Sequence, residues 1–380
     1  MLRYCTCCFL AVLLTFTAVA RHLAPGFDKA ECKELLKIGA QFGDSNYIQK
    51  VPAPELYSMV YQSAVCGLDN RWELWKHKQY QQAVISVRGT TASTISWLAN
   101  MYAAMIPAKG FLQLSATDTF HYALAEDTKA AVHVGWLLST AFLSKTILPQ
   151  IDSCYKSGIK EFIITGHSQG GAICFLLTSY LYSLQKAHRL PADICFKTYC
   201  FAAPKPGNLY YAYEYEAETQ MGWAFNVVSS ADWVPEVPFS VQTLNDFNNV
   251  NGFMNARSAI RKQKFPKNLV LRYAYNQLDR PTRRSQRRFE RYLGKYMARS
   301  IKKSIPGFVP PKYYKSNDYV RTGSIIVLFA DAAYYNLFPD DPKLIFKHHY
   351  HQPYLYLADK LPDRPVTQLK VSDICCASGR

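Results

Sequence analysis

The chain has 380 residues, of which 49% are hydrophobic, and this is enough apolar material for the core of one large domain or two. The composition excludes an intrinsically disordered protein, and the sequence lacks the internal repeats of a solenoid. The formal net charge is +16, but residues 257–303 hold sixteen Lys and Arg and only two acidic residues, so the basicity belongs to one segment.

Residues 1–20 have the features of a secretory signal peptide. Arg3 precedes the apolar run CCFLAVLLTFTAVA, and small residues at 18 and 20 suit cleavage before Arg21. An uncleaved membrane anchor is the alternative, although the run is short for a span. We therefore expect export to a secreted or periplasmic location. Eight cysteines follow, which permits disulfides or free thiols, and no Cys/His spacing suggests zinc.

The first predicted elements are a helical approach around residues 27–40 and a strand in AVISVRGTTAS (83–93). The apolar, β-branched composition of AVISV is typical of a buried strand, and Arg88-Gly89-Thr90 ends it. The backbone N–H and the hydroxyl of Thr90 would then be available to a site beyond this strand end. A plain strand-end turn is the alternative interpretation.

The segment FIITGHSQGGAICFLL (162–177) changes from a predicted buried strand to a helix at Ser168. GHSQG fits G-x-S-x-G, in which the glycines leave room for a serine held in a strained conformation on a sharp turn. This pattern predicts a nucleophile, with the N–H groups of Gln169 and Thr90 stabilising the oxyanion. A Gly-rich turn without chemistry is the alternative.

A serine nucleophile needs an acid and a base, which follow it in that order in α/β-hydrolases. Asp232 comes just past a predicted strand in WAFNVVSSADWVPEVP, at the carboxyl end where such sheets hold their sites. A turn or helix-capping aspartate is the alternative. The candidate bases are His348, His349 and His351, because the other histidines precede Ser168 or lie in or just after its helix.

Several segments together match one family. VISVRGT, AVHVGW, GHSQGG, CFAAPKPGN and VVSSADWVPEVP occur in this order, and His351 with Tyr354 fits H-x-x-Y. The chain thus resembles class 3 lipases, the fungal-type triacylglycerol lipases, and most closely the secreted bacterial lipase-like members. The resemblance implies an α/β-hydrolase fold with a mostly parallel central sheet, as one domain over residues 21–380 with a basic helical insertion near 257–305.

Carried onto this sequence, the resemblance implies Ser168 as the nucleophile, Asp232 as the acid that orients the base, and His351 as the base. It implies Thr90 and Gln169 as the oxyanion hole, with no metal or cofactor. The expected reaction is hydrolysis of an acylglycerol or related lipid ester through an acyl-enzyme. Another carboxylesterase or phospholipase specificity, or a non-catalytic lipase-fold binding protein, remain alternatives.

The segment TISWLANMYAAMIPA (94–108) carries apolar residues at helical spacing directly after Thr90. The resemblance favours a lid that exposes this face to lipid, and a helix packed permanently on the core is the alternative. Asn100 stands where many family members have an aspartate that braces the oxyanion loop, so the charge is absent while a hydrogen bond remains feasible. His133 is expected to be structural.

Residues 281–305 predict a basic amphipathic helix. Its charge suits an anionic membrane surface, an acidic polysaccharide or nucleic acid, although such a run most often forms a solvated face. Peripheral contact with an anionic lipid surface is therefore an open hypothesis. Nucleic acid is not expected as a partner, because no binding motif accompanies the charge. The oligomeric state is not predicted. The apolar stripe consists of Phe289, Tyr292, Leu293, Tyr296, Met297 and Ile301.

Overall fold

A central sheet of seven strands organises the structure, a computed structural model that describes residues 23–362. The strands are β1 Tyr57–Gln62, β2 Trp72–His77, β3 Gln82–Val87, β4 Met105–Pro107, β5 Lys109–Gln113, β6 Thr119–Ala123, β7 Ala131–His133, β8 Glu161–His167, β9 Cys195–Phe201, β10 Gly207–Asn208, β11 Ala224–Ser229, β12 Tyr319–Val320 and β13 Ser324–Leu328.

The central sheet has the order β1-β2-β3-β8-β9-β11-β13. The five strands from β3 to β13 run parallel, and β2 is antiparallel to both of its neighbours. A smaller sheet has the order β12-β10-β7-β4, and β5 and β6 form a hairpin. This mostly parallel arrangement confirms the predicted α/β-hydrolase fold.

Helices cover both faces of the sheet. Alternate strand residues point to opposite faces, so Ile85 and Ile164 join the core under α4 and α5, while Val84 and Ile163 join the core under α1 and α11. The α-helices are α1 Lys29–Ala40, α2 Ser45–Ile48, α3 Thr94–Met101, α4 Val134–Lys156, α5 Gln169–Lys186, α6 Leu209–Glu218, α7 Ala256–Arg261, α8 Lys267–Glu290, α9 Met297–Ser304, α10 Ala332–Leu337 and α11 His351–Asp359.

The segment predicted as one helix over 94–108 divides into two parts. Helix α3 ends at Met101, and β4 then pairs antiparallel with β7. Tyr102, Met105 and Ile106 are fully buried, so they belong to the permanent core and not to a lipid-facing surface. The prediction of a continuous helix is therefore wrong beyond Met101, because strand pairing satisfies the backbone there.

The basic segment forms a long helical arm. Helix α8 continues through a π-helical turn, Arg291–Tyr296, into α9, and we call α7 to α9 with this turn the basic arm. The lower part of the predicted stripe faces the body: Ile301 is fully buried and Met297 packs against the core. The Ala104 N–H donates to the Leu293 carbonyl over 3.1 Å, which fixes the turn to the body.

Two further predictions concern the ends of the chain and its cysteines. The predicted signal peptide, residues 1–20, lies outside the described residues. Between residues 23 and 362 we find no helix that combines the length and apolarity needed to cross a bilayer. Six cysteines lie in this part of the chain and all are free thiols: Cys32, Cys66, Cys154, Cys174, Cys195 and Cys200.

Candidate active site

Ser168 stands on the sharp turn that the G-x-S-x-G pattern predicts. It follows β8, begins α5, and has φ 60° and ψ −128°, a strained conformation for a residue with a side chain. A Cβ atom on Gly166 would lie 2.5 Å from the Gly170 carbonyl carbon, and one on Gly170 would lie 2.2 Å from the Val87 carbonyl oxygen. Both glycines are therefore required by close backbone approach.

A chain of hydrogen bonds braces the predicted oxyanion loop. The Trp136 indole N–H donates to the Asn100 side-chain oxygen over 3.0 Å, and the Asn100 amide donates to Thr90 Oγ1 over 2.9 Å. The Thr90 hydroxyl in turn donates to Gln169 Oε1 over 2.9 Å. Because an indole only donates, the Asn100 oxygen must face Trp136 and its amide must face Thr90. Asn100 thus braces the loop without a charge.

His133 supports this brace from below. Its ring stacks on Trp136 with centroids 3.6 Å apart, and Nε2 lies 3.2 Å from the Asn100 carbonyl oxygen. Nδ1 accepts the Trp136 backbone N–H. Burial lowers the pKa of His133 to about 3, so the ring is neutral. These contacts agree with the structural role expected of His133.

Asp232 lies beyond the end of β11 and is buried with both carboxylate oxygens hydrogen-bonded. Oδ1 accepts the Val234 N–H over 3.0 Å. Oδ2 accepts the Tyr354 hydroxyl over 2.8 Å and lies 2.8 Å from His349 Nδ1. A buried carboxyl group with three hydrogen-bond partners holds those partners in fixed orientations. Its alternative as a simple turn aspartate does not account for the His349 contact.

The predicted pairing of Asp232 with His351 is wrong. His351 Nδ1 lies 2.7 Å from the Tyr47 hydroxyl, which also accepts the His351 backbone N–H over 3.0 Å. The cause is local: His349 ends a 3₁₀ turn facing Asp232, whereas His351 begins α11 and its Nε2 faces Gly39. Burial, and then the neighbouring imidazole, lowers the pKa of His351 to about 3.

The other candidate histidine, His348, is turned away from the acid. Its Nδ1 lies 2.7 Å from the Tyr334 hydroxyl and its Nε2 lies 3.0 Å from Asp340 Oδ1. Of the three histidines, His349 alone contacts Asp232. The one sequence signal that separated the three histidines, the H-x-x-Y spacing to Tyr354, selected His351 instead.

Two neutral imidazoles pack around His349. The His167 ring centroid lies 4.7 Å from that of His349 and 4.1 Å from that of His351. Burial, with the neighbouring rings, lowers the pKa of His167 well below its ordinary value. The His349 ring thus lies between the neutral His167 ring and the Asp232 carboxyl group. The sequence analysis did not single out His167, although it adjoins Ser168.

An apolar cavity of about 880 Å³ opens over the turn. Ser168, Gln169, Thr90 and His349 all line it. Aromatic and aliphatic side chains supply most of the remaining wall, namely Trp97, Met101, Trp233, Phe239, Phe289, Leu293 and Phe346. The site therefore combines a few polar groups with a large apolar surface, as small-molecule sites do.

Comparison with known proteins agrees with the motifs. Residues 84–242 match the model of the family described as lipase (class 3). Triacylglycerol lipase OBL1 of Ricinus communis is 32% identical over 119 residues, which cover 30% of this chain and 22% of the relative. The chain thus spans less than a quarter of that curated relative's length.

Solved lipase structures are also similar. A lipase from Rhizopus microsporus var. chinensis is 23% identical, with 56% of this chain and 69% of that chain covered and a TM-score of 0.40. The Lip2 lipase from Yarrowia lipolytica is 18% identical, with 57% and 77% covered and a TM-score of 0.42. These proteins are from a plant and fungi, so the closer resemblance to bacterial members stays a prediction. Residues 84–242 of this chain match the class 3 lipases, the family that the motifs resemble.

Proposed function

We propose that this chain is a serine ester hydrolase that cleaves acylglycerols or related lipid esters through an acyl-enzyme. The observation that carries the proposal is that Ser168, on its strained turn, lines the same apolar cavity as His349, which is hydrogen-bonded to Asp232. These are the parts that acyl transfer requires. The class 3 lipase match over 84–242 supports the proposal. Secretion stays a prediction from residues 1–20.

The roles follow from the hydrogen bonds. His349 Nδ1–H donates to Asp232, which leaves Nε2 as the basic nitrogen that takes the proton when Ser168 Oγ attacks the ester carbonyl. The N–H groups of Gln169 and Thr90 stabilise the oxyanion at the start of α5. His349 then gives the proton to the leaving alkoxide, and water cleaves the acyl-enzyme by the same proton transfers in reverse.

The cavity favours a lipid ester over a small polar one. Its wall is mostly aromatic and aliphatic, and Asp44 is the one acidic residue in the described lining. An acyl chain buried there gains about 0.8 kcal/mol per methylene. A triacylglycerol lipase among the relatives supports an acylglycerol substrate, and a phospholipid remains the second candidate.

The test is a series of p-nitrophenyl esters of increasing acyl length, followed by triacylglycerol and phospholipid emulsions. We expect kcat/KM to rise with chain length and Ser168→Ala to lower kcat by about three decades or more. Ser183→Ala on the same helix α5 is the matched control and should retain activity. Binding of the esters without hydrolysis by the unaltered protein would identify a non-catalytic lipase-fold binding protein instead.

We also propose that helix α3 acts as a lid at a lipid surface. Ile95, Trp97 and Met101 are exposed, and the last two line the cavity. Activity should then rise sharply when a substrate passes from dissolved monomers to an emulsion. Replacing Ile95, which is exposed and does not line the cavity, by Ser should reduce this rise and leave hydrolysis of short soluble esters intact. A smooth activity curve across the solubility limit would show that α3 is a permanently packed helix.

A further inference from the structure

The basic arm exposes large apolar side chains that the rest of the protein does not cover. Helix α8 packs chiefly on α7 and on the π-helical turn, so its first half extends away from the core. Six large apolar side chains on this helix or just before it are 37% to 78% exposed. They are Phe265, just before the helix, and Leu269, Val270, Leu271, Tyr273 and Leu278.

The same arm carries most of the chain's positive charge. Of the sixteen Lys and Arg in residues 257–303, only Arg257, Arg283 and Lys295 have an acidic partner within residues 23–362. Those partners are Asp279 and Glu290, the two acids of the segment. Thirteen cations are therefore not neutralised by the described part of the protein, and they attract an external anion.

A basic cavity of about 820 Å³ lies along the second half of α8. Arg284, Arg287, Arg288 and Arg291 line it from the arm, and Lys315 lines it from the chain that follows. The fork geometry of several arginines suits the oxygens of a phosphate group.

Gln286 adds an independent sign that this cavity takes a ligand. It lines the cavity and is only 6% exposed, yet its side-chain Nε2 has no hydrogen-bond partner among the described residues. A buried amide donor without a partner costs free energy unless a ligand satisfies it. A phosphate oxygen would accept this hydrogen bond.

We propose that the basic arm is a docking surface for an anionic phospholipid membrane. The basic cavity takes a phosphate head group, with Gln286 as a further donor. The exposed apolar side chains on the same face of α8, namely Leu269, Val270 and Tyr273, enter the interface. Cations that flank apolar residues on one helix are the combination that binds an anionic bilayer surface.

The exposed apolar side chains favour a membrane over nucleic acid, because a polyphosphate surface satisfies the arginines but leaves Leu269, Tyr273 and Leu278 in water. The charge argues against a second copy of this chain, since two arms with a net charge of +14 each would repel. The membrane is the partner that satisfies both the apolar and the cationic parts of the arm.

The arm also reaches the candidate active site. Phe289 and Leu293, on the same continuous helix, line the cavity over Ser168. Docking of α8 on a membrane would therefore bring that cavity to the surface that holds its substrate. This last step rests on the proposed hydrolase, whereas the docking itself does not.

The test measures sedimentation of the full chain with phosphatidylcholine vesicles, with and without phosphatidylserine, at about 0.05 M and 0.5 M NaCl, where screening lengths differ severalfold. We expect binding to require phosphatidylserine and to fall at least tenfold at the higher salt concentration. Neutralising Arg284, Arg287, Arg288 and Arg291 together to Gln should reduce binding at least tenfold at low salt. Gln286→Leu should weaken binding severalfold.

Two further variants separate the contributions. The triple variant Leu269→Gln, Val270→Gln and Tyr273→Gln should also lose membrane binding, because the apolar anchors are gone. The matched control neutralises four exposed lysines outside the arm and should bind like the unaltered protein. These lysines are Lys109, Lys145, Lys156 and Lys160.

The outcomes are distinct from those of the enzyme test. Ser168→Ala should bind vesicles normally, and the arginine variant should hydrolyse a soluble ester normally. Soluble glycerol phosphate that displaces the protein from vesicles only at high concentration would support the membrane as the source of the phosphate. Equal, salt-insensitive sedimentation of the unaltered protein and the arginine variant would overturn the proposal. So would binding of the unaltered protein to a DNA duplex that is tighter than its binding to vesicles and is unchanged in the triple variant.

Discussion

The assignment of the base is decided by comparing His349→Ala with His351→Ala. His349 Nδ1 lies 2.8 Å from Asp232 Oδ2, so its loss removes the only imidazole paired with the acid in the described part of the chain. We expect kcat to fall by about three decades or more, since the nucleophile loses its general base. His351 contacts Tyr47 instead, so its removal should lower kcat by less than about tenfold.

The His351→Ala variant should lose stability although it keeps most of its activity. His351 is buried, and its loss leaves a cavity and a Tyr47 hydroxyl without its acceptor. We expect the free energy of unfolding to fall by about 2–4 kcal/mol. A protein that is folded and active but less stable is therefore the expected phenotype of His351→Ala.

The assay is hydrolysis of a short soluble p-nitrophenyl ester, with the folded state of each variant checked by urea unfolding at the same temperature. His348→Ala is the matched control, because this ring is turned toward Tyr334 and Asp340. Full activity in His349→Ala together with loss in His351→Ala, in a variant that remains folded, would refute the assignment from the structure.

Three further predictions concern the surroundings of this pair. Tyr354→Phe removes a hydroxyl that donates to Asp232 over 2.8 Å, so the free energy of unfolding in urea titrations should fall by about 2 kcal/mol. Tyr335→Phe is the control and should change it little, because this ring is exposed. Gly170→Ala should abolish soluble expression or activity, because its Cβ would lie 2.2 Å from a backbone oxygen. The pKa of His351 is lowered to about 3 in the folded protein and is about 6.5 in the unfolded chain, so the unfolded state gains a proton first as the pH falls. The free energy of unfolding should therefore fall as the pH drops from 6.5 toward 3, by up to about 1.4 kcal/mol per pH unit. His351→Gln should reduce that slope in urea titrations at several pH values.

The turn at Ser168 could be predicted because its determinants are local. An apolar β-rich run, then G-x-S-x-G, then an apolar helix leaves few backbone solutions, and the structure has a positive φ at the serine. The two glycines are required by backbone atoms on Val87 and on their own turn, which any chain with this strand–helix crossing places in the same way.

The helix boundary at Met101 could not be predicted from periodicity. Residues 94–108 have the apolar spacing of one helix, but Tyr102, Met105 and Ile106 are buried by strand β7 and by the basic arm. A short apolar run fits a buried strand as well as a helix, and only the pairing partner separates the two.

The stripe of the basic arm shows the same limit. Its sequence predicted an apolar face in need of a partner, without naming that partner. The structure covers Met297 and Ile301 with the protein's own core and leaves Leu269 and Tyr273, earlier in the arm, exposed. Which part of an amphipathic helix stays open depends on where the helix leaves the body, and this is a tertiary property.

By itself the sequence determined the sheet-and-helix fold, the serine turn, the position of Asp232 past a strand end and the confinement of positive charge to one segment, because these depend on local pattern and order along the chain. Only the tertiary structure decided that His349 and not His351 meets Asp232 and that Asn100 braces Thr90 without a charge. His349 and His351 are the same residue type and lie two positions apart, so their sequence neighbourhoods are almost the same. The partners that the two rings meet, Asp232 and Tyr47, lie more than 100 positions away, and a pattern along the chain does not bring them together.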